Sequence, residues 1–359
     1  MKNISAILAF IALILFSDAT SGYCQAVSKY PGKTWDKVTK PEVLGYSSEK
    51  LAAAKEFSKT LKTAAVTIIV NGQILDEWGD VDSLFLTHSM RKSVLSAVYG
   101  KYVENGMINL EQTIAELNID DEPPLSEQEK TATVRDCLKA RSGVFHTAEA
   151  ETDGMHKMKP PRDMFNPGEF WIYNNWDFNV LGTIFEKQTG KTVFQGIKED
   201  LADPIGMENF SVENGEMINT GRSIHGAYMF VISAHDLARL GWLMLCNGNW
   251  NGKQVVPESW VIESTTYFSD ATIYHYDGYG YMWWVAKDHN KFPDLPNVRL
   301  KEGTFSARGA GGHYMFVIPE YDMVFVHRVN TFNPENSVSP QDVGKLLNMI
   351  LEAKISGKR

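Results

Sequence analysis

The chain has 359 residues, of which 43% are hydrophobic, and a formal net charge of −9. This length and composition are sufficient for a large buried core. The acidic balance argues against a nucleic-acid or anionic-membrane partner, because both require a basic surface. The sequence has no G-x-G-x-x-G nucleotide loop, and its nine histidines do not cluster at metal-ligand spacing. We therefore expect no cofactor and no metal.

Residues 1–26 have the pattern of a secretory signal peptide. Lys2 precedes an apolar run at 4–16, and small and polar residues follow. The run is short for a transmembrane helix, although an uncleaved signal anchor is an alternative. The pattern predicts export to the periplasm or secretion.

The three cysteines fall into two groups. Cys24 lies near the predicted cleavage site and follows Tyr23, where a lipoprotein signal has a small residue, so a lipid anchor is not expected. Cys137 and Cys246 lie in apolar helical stretches and are predicted to be buried free thiols. In an oxidising compartment a disulfide between them is the alternative.

The first structured elements follow an extended leader at 27–46. Ser47 or Ser48 is the predicted cap of a helix that runs to residue 62. Residues 64–70 and 74–78 are predicted strands, and the Asn71-Gly72 pair between them indicates a hairpin.

The tetrad Ser89-Met90-Arg91-Lys92 opens the next predicted helix. Residues three apart share a helix face, so the Lys92 amine can reach the Ser89 hydroxyl. A serine hydroxyl needs a neighbouring base to become nucleophilic, and burial promotes the neutral amine that could serve. The helix start can also stabilise an oxyanion. The alternative is an ordinary helix start with a solvated lysine.

Tyr173-Asn174-Asn175 lies where a loop enters another predicted helix. The Pro167-Gly168 turn precedes it, and apolar residues at helical spacing follow. Tyr173 could relay a proton, and Asn175 could accept a hydrogen bond from a lysine and donate one to a substrate carbonyl. The alternative is a capping asparagine beside a packed tyrosine.

The second half of the chain contains helices, strands and a glycine-rich segment at 306–313 that includes Arg308, Gly309 and Ala310. Glycines there would let a substrate approach the backbone, or would form a bulge. The predicted helices are 234–246, 257–265 and 339–353, and the predicted strands are 281–285, 304–307, 314–318 and 323–329.

These elements predict an α+β fold. Strands from both chain ends would form one antiparallel sheet flanked by the terminal helices, and a mostly helical subdomain at about 89–225 would be inserted in it. Residues 47–359 would then form one domain, with the active site in the cleft between its two parts.

The three motifs, in this order, resemble those of serine β-lactamases and penicillin-binding-protein-like hydrolases. The class C-like branch, which also contains esterases, D-amino-acid peptidases and 6-aminohexanoate-dimer hydrolases, is the most similar. The stretches 133–143 and 204–207 add to the resemblance. It implies a β-lactamase/transpeptidase-like fold, and Ser89, Lys92, Tyr173 and Asn175 as catalytic residues.

The third motif departs from the family pattern. The resemblance aligns Ala307-Arg308-Gly309 with a motif that usually begins with Lys or His, and it implies that the backbone N–H groups of Ser89 and Ala310 form the oxyanion hole. Side chains alternate along a strand, so Arg308 is predicted to point away from the cleft unless the glycines bend the strand. The missing cation argues against β-lactam hydrolysis.

The sequence therefore predicts a serine hydrolase that cleaves an ester or amide bond through an acyl-enzyme on Ser89. Its partner would be a small ester, amide or peptide-like molecule, and the aromatic residues at 170–176 and 279–284 favour an apolar or amide-bearing one over a highly charged one. The alternatives are a β-lactamase or D-amino-acid peptidase, or an inactive ligand-binding homologue. The oligomeric state is not predicted.

Overall fold

An antiparallel sheet of eight strands dominates the computed structural model, which describes residues 29–272, 277–287 and 295–355. Numbered in chain order, the strands are β1 (Thr63–Val70), β2 (Gln73–Gly79), β3 (Phe85–Leu86), β4 (Gly215–Ile218), β5 (Ala227–Ile232), β6 (Asn249–Trp250), β7 (Lys253–Gln254), β8 (Ser269–Asp270), β9 (Gly278–Tyr279), β10 (Trp284–Val285), β11 (Phe305–Gly309), β12 (His313–Ile318) and β13 (Met323–Val329). The large sheet has the order β2-β1-β13-β12-β11-β10-β9-β8, so strands from both chain ends meet at β1 and β13. A three-stranded sheet, β3-β5-β4, and the β6–β7 hairpin lie outside it.

The helices begin where the sequence supplies capping side chains. Ser47, Asn174, Ser233 and Ser339 each accept a hydrogen bond from a backbone N–H in the first turn of the helix that follows. The α-helices are α1 (Ser48–Ser58), α2 (Met90–Glu104), α3 (Val134–Leu138), α4 (Asp153–Met158), α5 (Asn175–Thr189), α6 (Val193–Ile197), α7 (Asp203–Ile205), α8 (Ala234–Leu245), α9 (Glu258–Ser264) and α10 (Pro340–Leu351).

The sheet separates two hydrophobic clusters. Side chains alternate along β12 and β13, so Phe316 and Phe325 join the cluster that contains residues of α1 and α10. Met315 and Val324 point the other way, into the larger cluster with α2, α5 and α8. These packed faces confirm the predicted α+β fold, with a sheet from both chain ends and the terminal helices on one face.

The predicted signal peptide lies outside the described residues, and export stays a prediction. None of the helices in the described ranges is both long and apolar enough to cross a bilayer. Cys137 and Cys246 are both free and buried, which confirms the prediction of two buried thiols.

The predicted strand at 281–285 is wrong as a continuous element. The structure divides this region into β9 and β10, and Met282 in the turn between them has a positive φ of 61°. Ser96 Oγ donates to the Tyr281 carbonyl at 2.6 Å, and Ser93 Oγ donates to the Met282 carbonyl at 2.7 Å. Because α2 satisfies these two carbonyls, the segment turns toward the helix instead of extending the ladder.

Candidate active site

Ser89 lies immediately before α2, and its side chain makes no capping hydrogen bond to that helix. Lys92 follows one turn later, with its Nζ 3.0 Å from Ser89 Oγ. This is the contact that the tetrad predicts for two residues on one helix face. Further along α2, Ser93 and Ser96 donate to carbonyls of the turn before β10.

The Lys92 amine is surrounded by polar acceptors and aromatic rings. Its Nζ lies 2.6 Å from Tyr173 Oη and 2.8 Å from Asn175 Oδ1, and over the rings of Tyr173 and Phe178 at 4.2 and 4.6 Å from their centroids. Lys92 is only 2% exposed. Burial, with a smaller contribution from Arg91, holds its pKa well below the usual value for lysine. Within the described ranges no carboxylate lies in ion-pair distance of this amine, so the neutral form is favoured.

The free energy of unfolding should depend on pH through Lys92. The unfolded chain keeps the Lys92 proton up to the ordinary pKa of 10.5, whereas the buried amine releases it at lower pH. The unfolded state therefore binds more protons between these two pKa values, and stability rises with pH across that interval. We expect Lys92→Met to flatten this rise in urea titrations carried out at pH values below 10.5. Lys101→Met, on the exposed side of the same helix, should keep the wild-type slope. Equal slopes for Lys92→Met and wild type would contradict the burial argument.

Tyr173 and Asn175 reach Lys92 from the start of α5. Asn174 caps this helix by accepting from the Trp176 N–H at 3.2 Å. The Asn175 Nδ2 group donates to the Ala150 carbonyl at 2.6 Å, which orients its Oδ1 toward Lys92. The Tyr173 ring is stacked on Trp284, with centroids 5.4 Å apart and planes 22° apart. The predicted residues Ser89, Lys92, Tyr173 and Asn175 are thus together in one place.

A cavity of about 500 Å³ opens beside Ser89. Gly309 brings the end of β11 against the backbone before Ser89, since a Cβ there would lie 2.7 Å from the Thr87 carbonyl oxygen. Most other lining side chains are apolar, and they come from α4, the segment before α5, the strands β10 and β12, and the start of α10 with the residues before it. The lining residues are Ser89, Met155, Met158, Trp171, Ile172, Tyr173, Trp284, Arg308, Gly309, Ala310, Gly311, Gly312, Tyr314, Ser337, Val338, Ser339 and Pro340.

Comparison with known proteins agrees with this geometry. Residues 49–346 match the model of the Beta-lactamase family. The chain belongs to the β-lactamase family. An uncharacterised protein of Alkalihalophilus pseudofirmus is 26% identical over 328 residues, which are 82% of this chain and 91% of that protein.

Solved structures of this fold include several hydrolases. A Bacillus anthracis protein assigned as a 6-aminohexanoate-dimer hydrolase has a TM-score of 0.62 and 21% identity, over 83% of this chain and 80% of its own. EstCE1, a hydrolase with promiscuous acyltransferase activity, has a TM-score of 0.62 and 16% identity, over 88% and 99%. A penicillin-binding protein homologue of Caulobacter crescentus has a TM-score of 0.62 and 15% identity, over 86% and 99%. These likenesses confirm the β-lactamase/transpeptidase-like fold.

The prediction that Arg308 points away from the cleft is wrong for this member of the β-lactamase family. Alternation holds along β11, because Ala307 faces the larger cluster and Arg308 the opposite side. However, the cavity lies at the end of the strand, so residues on both sheet faces line it. Arg308 donates from Nε to Ser306 Oγ at 2.9 Å, and its guanidinium lies 5.3 Å from the ring centroid of Trp284. A cation therefore does lie in the cavity wall, displaced from the position that the family uses.

Several residues of the site were not predicted from the sequence. Met155 and Met158 come from the short helix α4, whose apolar residues show no pattern that marks a cavity. Thr331 follows β13 and contacts His88, whose Nε2 lies 2.8 Å from Thr331 Oγ1. The histidine next to Ser89 is thus bonded to this threonine. In the described ranges, no group of three or more histidine, cysteine or acidic side chains could hold a metal ion.

Proposed function

We propose that this protein is a serine hydrolase that cleaves an ester or amide bond through an acyl-enzyme on Ser89. The observation that carries the proposal is the 3.0 Å contact between Ser89 Oγ and the buried Lys92 amine, whose pKa is lowered by burial. A neutral amine donates to Asn175 Oδ1 and Tyr173 Oη and keeps its lone pair for the serine proton. This arrangement matches a nucleophile with an adjacent base and an orienting group.

The reaction would proceed in two acyl transfers. The Lys92–Tyr173 pair takes the Ser89 proton as Oγ attacks the carbonyl carbon, and the developing oxyanion is held by the backbone N–H groups of Ser89 and Ala310. Collapse of the tetrahedral intermediate expels the alcohol or amine, which takes its proton from the same pair. Water then attacks the acyl-enzyme with the same groups as base. The second tetrahedral intermediate breaks the bond to Ser89 Oγ, which regains its proton from the pair, and the carboxylic acid is released. Two coupled groups titrate as a unit, so the proton belongs to the pair.

A covalent probe distinguishes the proposed hydrolase from an inactive ligand-binding homologue. A fluorophosphonate should label the wild-type protein stoichiometrically, because the probe reacts with activated serine nucleophiles. The same protein, before treatment with the probe, should hydrolyse p-nitrophenyl butyrate. A folded protein that neither labels nor turns over esters or amides would be a binding homologue.

The cavity walls support an uncharged, apolar substrate group. Met158 is half exposed and lines the cavity, whereas Met164 is similarly exposed and lies outside the lining set. Each methylene buried against such a wall contributes about 0.8 kcal/mol, or roughly fourfold in kcat/KM. We expect kcat/KM to increase from p-nitrophenyl acetate to hexanoate. Met158→Glu should reduce kcat/KM for the hexanoate ester by about 10-fold or more, since the bound hexanoyl group would remove water from the new carboxylate.

The matched control for this prediction is Met164→Glu, which should leave the chain-length series unchanged. A flat series in the wild-type protein, with active Ser89, would contradict the apolar site while leaving the hydrolase proposal standing.

Arg308 in the cavity wall is the observation that favours a second candidate, a β-lactamase. The family cation is missing at Ala307, and Arg308 lies on the other sheet face with its Nε bonded to Ser306. We expect nitrocefin to be hydrolysed with a kcat/KM at least about 10²-fold below that of p-nitrophenyl butyrate, a loss typical of a misplaced charge stabiliser. Efficient nitrocefin hydrolysis that disappears in Arg308→Ala would instead favour the β-lactamase.

A further inference from the structure

Thr331 lies two residues beyond β13 and contacts both sides of the proposed oxyanion site. On one side, its Oγ1 lies 2.8 Å from Nε2 of His88, the residue before Ser89. On the other, its Cγ2 lies so close to Gly311, the residue after Ala310, that a Cβ on Gly311 would be only 2.7 Å away. One side chain thus connects the neighbours of both proposed N–H donors.

The hydrogen-bond direction through Thr331 follows from a buried arginine. Arg328 is fully buried, and its Nε can only donate, so His313 Nδ1, at 3.0 Å, must accept. The His313 proton is then on Nε2, which donates to Thr331 Oγ1 at 3.1 Å. The Thr331 hydroxyl keeps its own proton for His88 Nε2. The other two nitrogens of the Arg328 guanidinium, Nη1 and Nη2, donate to the backbone carbonyls of Phe85, Leu86 and Ile232. These bonds fix the orientation of the arginine, and with it the direction of the hydrogen bonds that follow.

His88 needs such an anchor because its backbone is strained. Its φ is +46°, in the left-handed region that non-glycine residues rarely adopt. A strained residue of this kind costs about 1–3 kcal/mol and persists only where its surroundings hold it. Thr87, on one side, donates from Oγ1 to the Phe230 carbonyl at 2.9 Å. Thr331 holds the side chain of His88 itself, and His88 sets the direction in which the chain enters Ser89.

We propose that Thr331 is a positioning residue for the reaction, which aligns the backbone N–H groups of Ser89 and Ala310 through His88 and Gly311. The inference rests on the proposed hydrolase function. Thr331 touches neither the nucleophile nor the base, so its loss affects the aim of the two donors and leaves the Lys92 contact with Ser89 intact. Loss of a single oxyanion donor costs about 10²–10³-fold in kcat, and misdirection of the donors costs a part of that.

The test is Thr331→Val, which removes the hydroxyl and keeps the methyl group against Gly311. With p-nitrophenyl butyrate we expect kcat to fall about 10-fold or more while KM changes less than about threefold. Thr331→Ser restores the hydroxyl and should recover most of kcat. His88→Leu removes the same hydrogen bond from the other end, and the double variant should lose no more than either single variant.

The matched control is Thr183→Val. Thr183 Oγ1 also bonds a histidine, the buried His225, at 3.0 Å, but outside the site. It should lower the melting temperature as Thr331→Val does and leave kcat unchanged.

A wild-type kcat in both Thr331→Val and His88→Leu, with only a lower melting temperature, would overturn the inference. Equal kcat losses in Thr183→Val and Thr331→Val would overturn it as well. Absence of turnover and of fluorophosphonate labelling in the wild-type protein would instead refute the proposed function, and the inference with it.

Discussion

Ser89→Ala is expected to reduce turnover of any ester or amide substrate by about 10⁴-fold or more, the scale of nucleophile removal in serine hydrolases. The acyl group has no other acceptor in the proposed scheme, because the Lys92 amine is enclosed by Tyr173, Asn175 and Phe178. Parallel assays of the purified variant and the wild type with p-nitrophenyl butyrate measure the effect.

The fold of this variant should be intact. The Ser89 side chain makes no capping bond to α2, so its hydroxyl contributes little to the helix start. The control is Ser96→Ala on the same helix, which removes the 2.6 Å bond to the Tyr281 carbonyl. It should lower the melting temperature and retain ester turnover. Undiminished turnover in Ser89→Ala would remove this serine from the mechanism.

Lys92→Ala and Tyr173→Phe should each reduce kcat by about 10²-fold or more, because each removes a member of the proton-transferring pair. The 2.6 Å contact between Lys92 Nζ and Tyr173 Oη makes the two groups interdependent, so the double variant should lose less than the product of the single losses. Steady-state kinetics on the three variants, with KM determined separately, test this.

The controls for that pair are Lys101→Ala and Tyr99→Phe. Lys101 lies on the exposed side of α2 and pairs with Asp200, and the buried Tyr99 hydroxyl donates to the Leu181 carbonyl. Both should retain kcat within about threefold, as side chains outside the reaction do. A fully active Tyr173→Phe would show that the tyrosine only packs against Trp284.

The residues that the sequence predicted best are those whose contacts are local. Ser89 and Lys92 are three residues apart on one helix, so the helix alone determines their 3.0 Å contact. Tyr173 and Asn175 were predicted at the entry to α5 because a turn and a helical pattern surround them. The hairpin of β1 and β2 follows from Asn71-Gly72 and from the alternation on both sides.

What the sequence did not predict depends on contacts between distant segments. The turn between β9 and β10 forms because Ser93 and Ser96, nearly 190 residues earlier, satisfy its carbonyls. Arg308 lines the cavity because the cavity lies at the strand end, a property of the assembled sheet. Met155 and Met158 come from the short helix α4 and Thr331 from the loop after β13, and neither segment carries a periodic signal in the sequence.

Mass spectrometry of the intact protein during turnover of a slowly deacylated p-nitrophenyl ester tests the central proposal most directly. We expect a single added acyl group in the wild-type protein, located by peptide mapping on the peptide that contains Ser89, and no added mass in Ser89→Ala. An acyl group on another residue, or the same added mass in Ser89→Ala, would contradict it.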